Sequence, residues 1–287
     1  MKTNILKAIL NIKKNSEFNF NKLYPPKSDI NLENEIQNVG KGLEYFIKDS
    51  FADSYSIINK EDEYEKYFSY LGNSNNPPDF MIANGDAVEV KKVNGFPKEI
   101  QLNSSTPKSN LYSNDSLITE TCKNCEKWDK KDLIYSIGSF ENRTSCLKFL
   151  FLVYGDCYIA DNTLYSNFKK LLQDTISVIP NTQKTNELGR INQIDNLGIS
   201  KLRIRGMWII SNPFHIFKDQ LNYNKNNQEF TVVSLMKKEK FLSFPQEDRE
   251  SILNNEDIIT SFIKIKDPNE VDSMMDAVLI RWDKLWK

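Results

Sequence analysis

Sixteen residues, Pro77-Pro78-Asp79-Phe80-Met81-Ile82-Ala83-Asn84-Gly85-Asp86-Ala87-Val88-Glu89-Val90-Lys91-Lys92, constrain the fold more than any other part of the chain. Two β-favouring runs flank an Asn-Gly pair, so the stretch reads as a hairpin. Turn length then decides everything, because a slip of one residue moves a whole strand's side chains to the other face. A two-residue Asn84-Gly85 turn sets Phe80 opposite Glu89. A three-residue loop, Ala83-Asn84-Gly85 with Gly85 in the left-handed conformation, instead pairs Ile82 with Asp86 and Asp79 with Glu89. Phe80, Ile82, Val88 and Val90 then share one face, and Asp79, Glu89 and Lys91 the other. This register separates apolar from charged residues and is the one expected.

The charged face has the groups that phosphodiester hydrolysis requires. Asp79, Glu89 and the carbonyl of Val90 are hard oxygen donors of the kind Mg²⁺ takes beside water and phosphate oxygens. Such a metal acidifies bound water and stabilises charge on phosphorus. Lys91, two residues after Glu89, can orient the attacking water or neutralise the phosphate. An isolated Glu-x-Lys is usually just a solvated strand face. Pro78-Asp79, brought alongside by the register, is what favours catalysis.

The rest of the composition mostly excludes. A chain of 287 residues, 27% charged and 39% hydrophobic, can bury one large core. Its formal net charge of -1 argues against indiscriminate coating of nucleic acid, without excluding a local basic groove. Four cysteines are too few for a disulfide scaffold, and Cys122-x-x-Cys125 has no second pair to complete a zinc site. A single histidine, His215, rules out chemistry that needs several. No Walker-type loop or glycine-rich nucleotide fingerprint is present, so neither ATP use nor a dinucleotide cofactor is expected. No apolar run is long enough to span a bilayer, and the N-terminal pattern of Ile5, Leu6, Ile9 and Leu10 is that of an amphipathic helix; the expected location is the cytoplasm.

Periodicity predicts a helix from Asn38 with Val39, Leu43, Phe46, Ile47 and Phe51 on one stripe. Polar Asn15 to Asn31, with Pro25-Pro26, reads as linker. Aromatic-rich Glu63 to Leu71 reads as strand, or strand plus turn, leading into the sheet, and Lys98 to Thr121 as loop. Lys92 and Lys108 are the lysines there most suited to DNA phosphates. Leu133 to Ile137 and Lys148 to Tyr154 are expected strands, the second apolar on both faces and so central. A helix is expected from Thr163 to Ile179, with Leu164, Phe168, Leu171, Leu172 and Ile176 inward, ended by Pro180. The order implies an α/β fold with a mixed central sheet flanked by helices.

From Lys184 to Lys240 ten basic residues face five acids, a net of +5. Three of the chain's six arginines, Arg190, Arg203 and Arg205, fall within sixteen residues there. In Lys201-Leu202-Arg203-Ile204-Arg205 the strand period puts Lys201, Arg203 and Arg205 on one face, with Leu202 and Ile204 behind. Such a ribbon edge can enter a major groove, where the arginine fork matches guanine O6 and N7. A charged edge strand guarding against aggregation is the plainer reading. Beyond Phe241, Met274, Met275, Ala277, Val278, Leu279, Ile280 and Trp282 suggest a packed C-terminal element.

At its hairpin the chain resembles the PD-(D/E)xK nuclease superfamily, and more closely the NgoPII-type type II restriction endonucleases. The matching stretches run from Tyr70 to Asp79 and from Asn84 to Lys92, then Asp132-Leu133-Ile134-Tyr135, Leu188-Gly189-Arg190 and Arg203-Ile204-Arg205-Gly206-Met207-Trp208. The resemblance implies a restriction-endonuclease-like core at 38–217 in a single 1–287 domain, with a helix and linker at 1–37 and a further element at 241–287. It implies a Mg²⁺-dependent homodimer that cuts both strands of double-stranded DNA at a short palindrome, GGCC for the enzyme that names the type. A cognate DNA methyltransferase is then a genetic, not a physical, partner. Because a helical acid ahead of the hairpin can reach the metal in this superfamily, Glu44 becomes a candidate third carboxylate, although a solvated helix residue is its plainer reading. Alternatives are a nuclease specific for branched or mismatched DNA and a DNA-binding module that does not cut.

Overall fold

The computed structural model describes residues 2–17, 23, 35–73, 76–95, 97–141, 146–185, 187–223 and 228–285. Most of the expected linker, with Pro25-Pro26, lies outside the described residues, as do Ser74 and Asn75. Asn4 caps α1 (Ile5–Lys14) by accepting the N–H groups of Leu6 and Lys7, and Ile5, Leu6, Ile9 and Ile12 are buried. The expected stripe of α2 (Glu35–Ala52) is buried along its length.

Glu63 to Tyr67 is not strand. It belongs to α3 (Lys60–Tyr67), whose first turn gathers Glu61, Asp62 and Glu63 where the helix dipole favours acids; strand starts only at β1 (Phe68–Asn73). The hairpin strands follow as β2 (Asn76–Ile82) and β3 (Ala87–Asn94). The expected Lys98 to Thr121 loop contains two short strands, β4 (Ile100–Asn103) and β5 (Asn110–Tyr112). Their pairing partners are distant in sequence, which hides such short strands from local pattern. Next come α4 (Glu120–Asn124), β6 (Lys130–Phe140), β7 (Leu147–Tyr154) and α5 (Asn162–Ile176).

Four small strands follow: β8 (Thr182–Gln183), β9 (Gly189–Ile191), β10 (Leu202–Ile204) and β11 (Trp208–Ile210). The short helices α6 (Pro213–Ile216) and α7 (Lys218–Leu221) lead to β12 (Gln228–Lys237). The chain ends in α8 (Lys238–Ser243), α9 (Gln246–Leu253), β13 (Ile258–Lys266) and β14 (Met274–Leu285).

Among the described residues the central sheet runs β1-β2-β3-β6-β7-β12-β14-β13, with β5 also paired to β6. It is mixed: β3 is parallel to β6 and β12 to β7, while the other neighbours are antiparallel. This is the α/β architecture expected, and β7 is central, with Phe149, Leu150, Phe151, Leu152 and Val153 all buried. The C-terminal segment is integral to it, since β14 is held between β12 and β13. One face packs under α2: Phe51 stacks edge-on to Phe80 at 5.8 Å, and a Cβ on Gly138 would meet Leu43 at 2.7 Å. On the other face Phe149 meets Phe214, and Phe151 meets Phe217.

The stripe on α5 does not point inward. Leu164, Phe168 and Leu171 are 58%, 53% and 62% exposed. Amphipathic periodicity shows that a helix has an apolar side, and it carries no information on what lies against that side. Here the contacts of α5 are lateral, through Tyr165 and Phe168 on Trp208 and through Gln173.

Candidate active site

The hairpin has the register expected from its pattern. Phe80 pairs with Val88 and Met81 with Ala87, and the Ile82 N–H donates to the Asp86 carbonyl at 2.9 Å. The left-handed residue is Asn84, at φ 54°, and not Gly85. Asparagine tolerates that region because its short side chain bonds locally. The turn is fixed from outside by Glu126, which accepts the Asn84 N–H at 2.9 Å, and by the Lys131 ammonium on the Gly85 carbonyl at 2.6 Å. Behind it the buried Asp86 accepts from the Tyr154 hydroxyl and the Lys240 ammonium, each at 2.6 Å.

At the open end the two strands part. Continuing the register sets Pro78 opposite Val90, and proline has no N–H to give the ladder. The Val90 N–H donates instead to Asp79 Oδ2 at 2.6 Å. In an extended strand one residue's N–H and C=O point the same way, so the Val90 carbonyl faces the gap that holds Asp79. Lys91 Nζ donates to Glu89 Oε1 at 2.6 Å. Among the described residues the buried Glu89 Oε2 has no hydrogen-bond partner. A buried carboxylate oxygen without a donor is costly, and it suits a site that receives a cation.

Charges at this end are strongly coupled. Burial, then the neighbouring Glu89, pushes the Asp79 carboxyl well above the usual range; Lys91 and the Val90 N–H only partly offset this. For Lys91 burial works downward, but Glu89 and Asp79 outweigh it and hold the ammonium above its ordinary value. Lys91 is therefore a cation at neutral pH, suited to hold negative charge rather than to abstract protons.

Asp79, Glu89 and Lys91 line one cavity of about 480 Å³ with Asn76, Pro77, Leu102 to Ser105, and Arg205 to Met207. Sequence reasoning missed its wall of Leu102, Asn103, Ser104 and Ser105. That wall is placed by the pairing of β4 with β11, across more than a hundred residues of chain. The same pairing brings the arginine-rich segment to the hairpin.

Not every expected residue arrives. Glu44 lies on α2, and its Oε1 is taken by Lys48 Nζ at 2.6 Å. Its charge still adds to the upward push on Asp79. Among the described residues no three His, Cys, Asp or Glu side chains converge to hold a metal, so the hairpin supplies two carboxylates and no third. Lys108 is buried and ion-paired to Asp115, which leaves no exposed ammonium for a phosphate. Lys92 lies over the Phe140 ring at 5.5 Å, half-buried. Cys122 and Cys125 are free thiols, and burial raises the Cys122 thiol to about 12. His215 bonds the Pro97 carbonyl at 3.2 Å.

The arginine segment forms a small sheet, β10-β9-β8, in which Arg203 stands opposite Arg190. Arg190, Lys201, Arg203 and Arg205 are all exposed. Leu202 is not tucked behind them but 49% exposed, because nothing packs on that side of the ribbon. Glu187 accepts from Arg203 Nε at 2.9 Å and pairs with Arg205 Nε at 2.8 Å.

A carboxylate pair with a lysine on a parted hairpin, set in a mixed sheet, is the arrangement of a metal-assisted phosphodiesterase. The chain matches the NgoPII restriction endonuclease family over residues 3–267 and belongs to it, and so is a site-specific deoxyribonuclease with DNA as its substrate. A relative, the type II restriction enzyme NgoPII of Neisseria gonorrhoeae, is 38% identical over 284 residues, 97% of this chain and 99% of that protein. No solved structure matches the chain. Type II restriction endonucleases generally use a divalent metal. Among the described residues no helix is long and apolar enough to cross a membrane.

Proposed function

We propose that Asp79, Glu89 and the Val90 carbonyl hold Mg²⁺, and that Lys91 is the catalytic cation beside it. The observation that carries this is Glu89 Oε2, buried and unpartnered within a cavity that Asp79 and Lys91 also line. The donor set is all hard oxygen with few protein ligands, which fits an ion that keeps waters and takes phosphate oxygens. When bound, the metal supplies an acidified water and charge stabilisation at phosphorus. Asp79 is oriented by the Val90 N–H, and Glu89 by Lys91. The Lys91 ammonium, already protonated, offers hydrogen bonds to the attacking water or to the developing phosphorane.

Arg203, Arg205, Arg190 and Lys201 form the DNA-contacting ribbon, with Arg203 and Arg205 as base readers and Lys92 toward the backbone. Arg205 lines the same cavity as Lys91, so base reading and cleavage would be adjacent. Among the described residues each chain has one such hairpin, so cutting both strands calls for two copies on a palindromic site; the working unit is a homodimer, and the resemblance to the NgoPII type implies GGCC as the site. The enzyme would act in the cytoplasm, alongside a methyltransferase that protects the host's own sites.

The test is to incubate purified protein with unmethylated phage DNA, with Mg²⁺ or EDTA, beside Lys91→Ala. Discrete fragments that need Mg²⁺ and vanish in the variant are expected, with sequenced ends giving the site and cut. Unbroken DNA in every lane, or cleavage by Lys91→Ala at the wild-type rate, would sink the assignment of the hairpin.

A further inference from the structure

Glu187 is the acid on which the arginine ribbon converges. Its side chain is 14% exposed, whereas those of Arg203 and Arg205 are 65% and 58% exposed. Each arginine meets it through Nε, and among the described residues neither guanidinium has another hydrogen-bond partner. The Nη groups are therefore left at the solvent end of each fork, the pair that can span O6 and N7 of guanine. Glu187 is itself held: Gln173 of α5 donates to the carbonyls of Thr185 at 3.1 Å and Glu187 at 2.8 Å.

We propose that Glu187 is a positioning residue that presets Arg203 and Arg205 for base recognition. This rests on the reading of those two arginines as DNA contacts. An arginine loose in water loses much rotamer freedom when it docks, and two held by one largely shielded carboxylate have already lost it. The shared acid also fixes the spacing of the forks, so a wrong base is met by a donor pair that cannot swing aside. A structural acid that only offsets like charges on β9 and β10 would have no such effect on site choice.

The experiment measures kcat/KM on DNA carrying the mapped site and on each single base-pair variant of it. The proteins are wild type, Glu187→Gln, Arg203→Ala/Arg205→Ala, and the triple variant. Glu187→Gln is expected to lower the preference for the correct site about tenfold, the order of one degraded bidentate contact. In the background lacking both guanidiniums it should cost nothing further, because the groups it orients are gone. Unchanged preference in Glu187→Gln, while the double arginine variant loses it, overturns the role of Glu187 alone. An equal cost with and without the arginines makes Glu187 structural and also overturns it. Unchanged site choice in the double arginine variant defeats the base-reading assignment, and this proposal with it. Should thermal melting show Glu187→Gln unfolded, Glu187→Asp decides, since a shortened carboxylate keeps the charge and loses the reach to both Nε atoms.

Discussion

At Lys91 the position of the charge matters more than its sign. Lys91→Arg keeps the cation but replaces a compact ammonium with a wide planar fork. A displacement of about 1 Å at a reacting centre can cost about a hundredfold, so cleavage should fall by at least that order while metal-free DNA binding in a gel shift changes little. Undiminished cleavage would reduce Lys91 to a generic counter-charge. Asp79 makes a prediction in pH. Its carboxyl is raised in the folded protein from an unfolded value of about 4, so the stability it contributes is full below that value and is lost as pH rises through the folded one. In metal-free protein Asp79→Asn removes that loss. At pH 7 the variant should melt a few degrees above wild type, roughly 2–4 °C for each kcal/mol relieved, with the gap closing near pH 4. A variant that melts lower at pH 7 would show that attraction to Lys91 exceeds the cost of burial. Asp79, Glu89 and Lys91 were legible in the sequence because strand alternation alone puts them on one face. The ion pairs of Glu44 with Lys48 and of Lys108 with Asp115 were not legible, because no periodicity reports which ammonium meets which carboxylate.

At the scale of elements, the position of Asp79 depends on a glycine in the strand beside it. A Cβ on Gly72 would lie 2.3 Å from the Pro78 carbonyl oxygen and 2.9 Å from that of Asp79. Both are backbone atoms, so β2 itself would have to move. Gly72→Ala should therefore cut cleavage by about two orders of magnitude through misplacement of Asp79. Melting should drop by much less than complete unfolding, by the 1–3 kcal/mol typical of overpacking. Activity within a few-fold of wild type would mean that β1 yields instead. The long elements were readable because each shows many turns or alternations of one pattern. The hairpin, β6, β7, α1 and α2 were all predicted this way. Strands of three or four residues, such as β4 and β11, show almost no pattern, and only their distant partners make them strands.

For the whole molecule the issue is stoichiometry. One 33.4 kDa chain carries one parted hairpin among its described residues, so a homodimer on its site should sediment at about twice that mass plus the mass of the DNA. A plasmid with a single site should go directly to linear product, without nicked circles building up. A sedimenting monomer that leaves nicked circles as the lasting product would contradict two-strand cutting by paired copies. Arg190, Lys201, Arg203 and Arg205 are exposed and Arg205 lines the cavity, so despite a net charge of -1 metal-free DNA binding should weaken steeply with salt.

By itself the sequence determined the class of fold, the hairpin register and the pair of carboxylates with their lysine, because each follows from local periodicity and from which faces must avoid water. Tertiary structure alone decided that Glu44 is paired to Lys48 and that Lys108 is buried. It also decided that the β4–β11 pairing walls the cavity, that α5 leaves Leu164, Phe168 and Leu171 exposed, and that Glu187 holds two arginines at once. The physical reason is shared: these outcomes turn on contacts between residues far apart in the chain. Alternation and helical spacing say which side of an element is apolar, and only the packed molecule says what meets it.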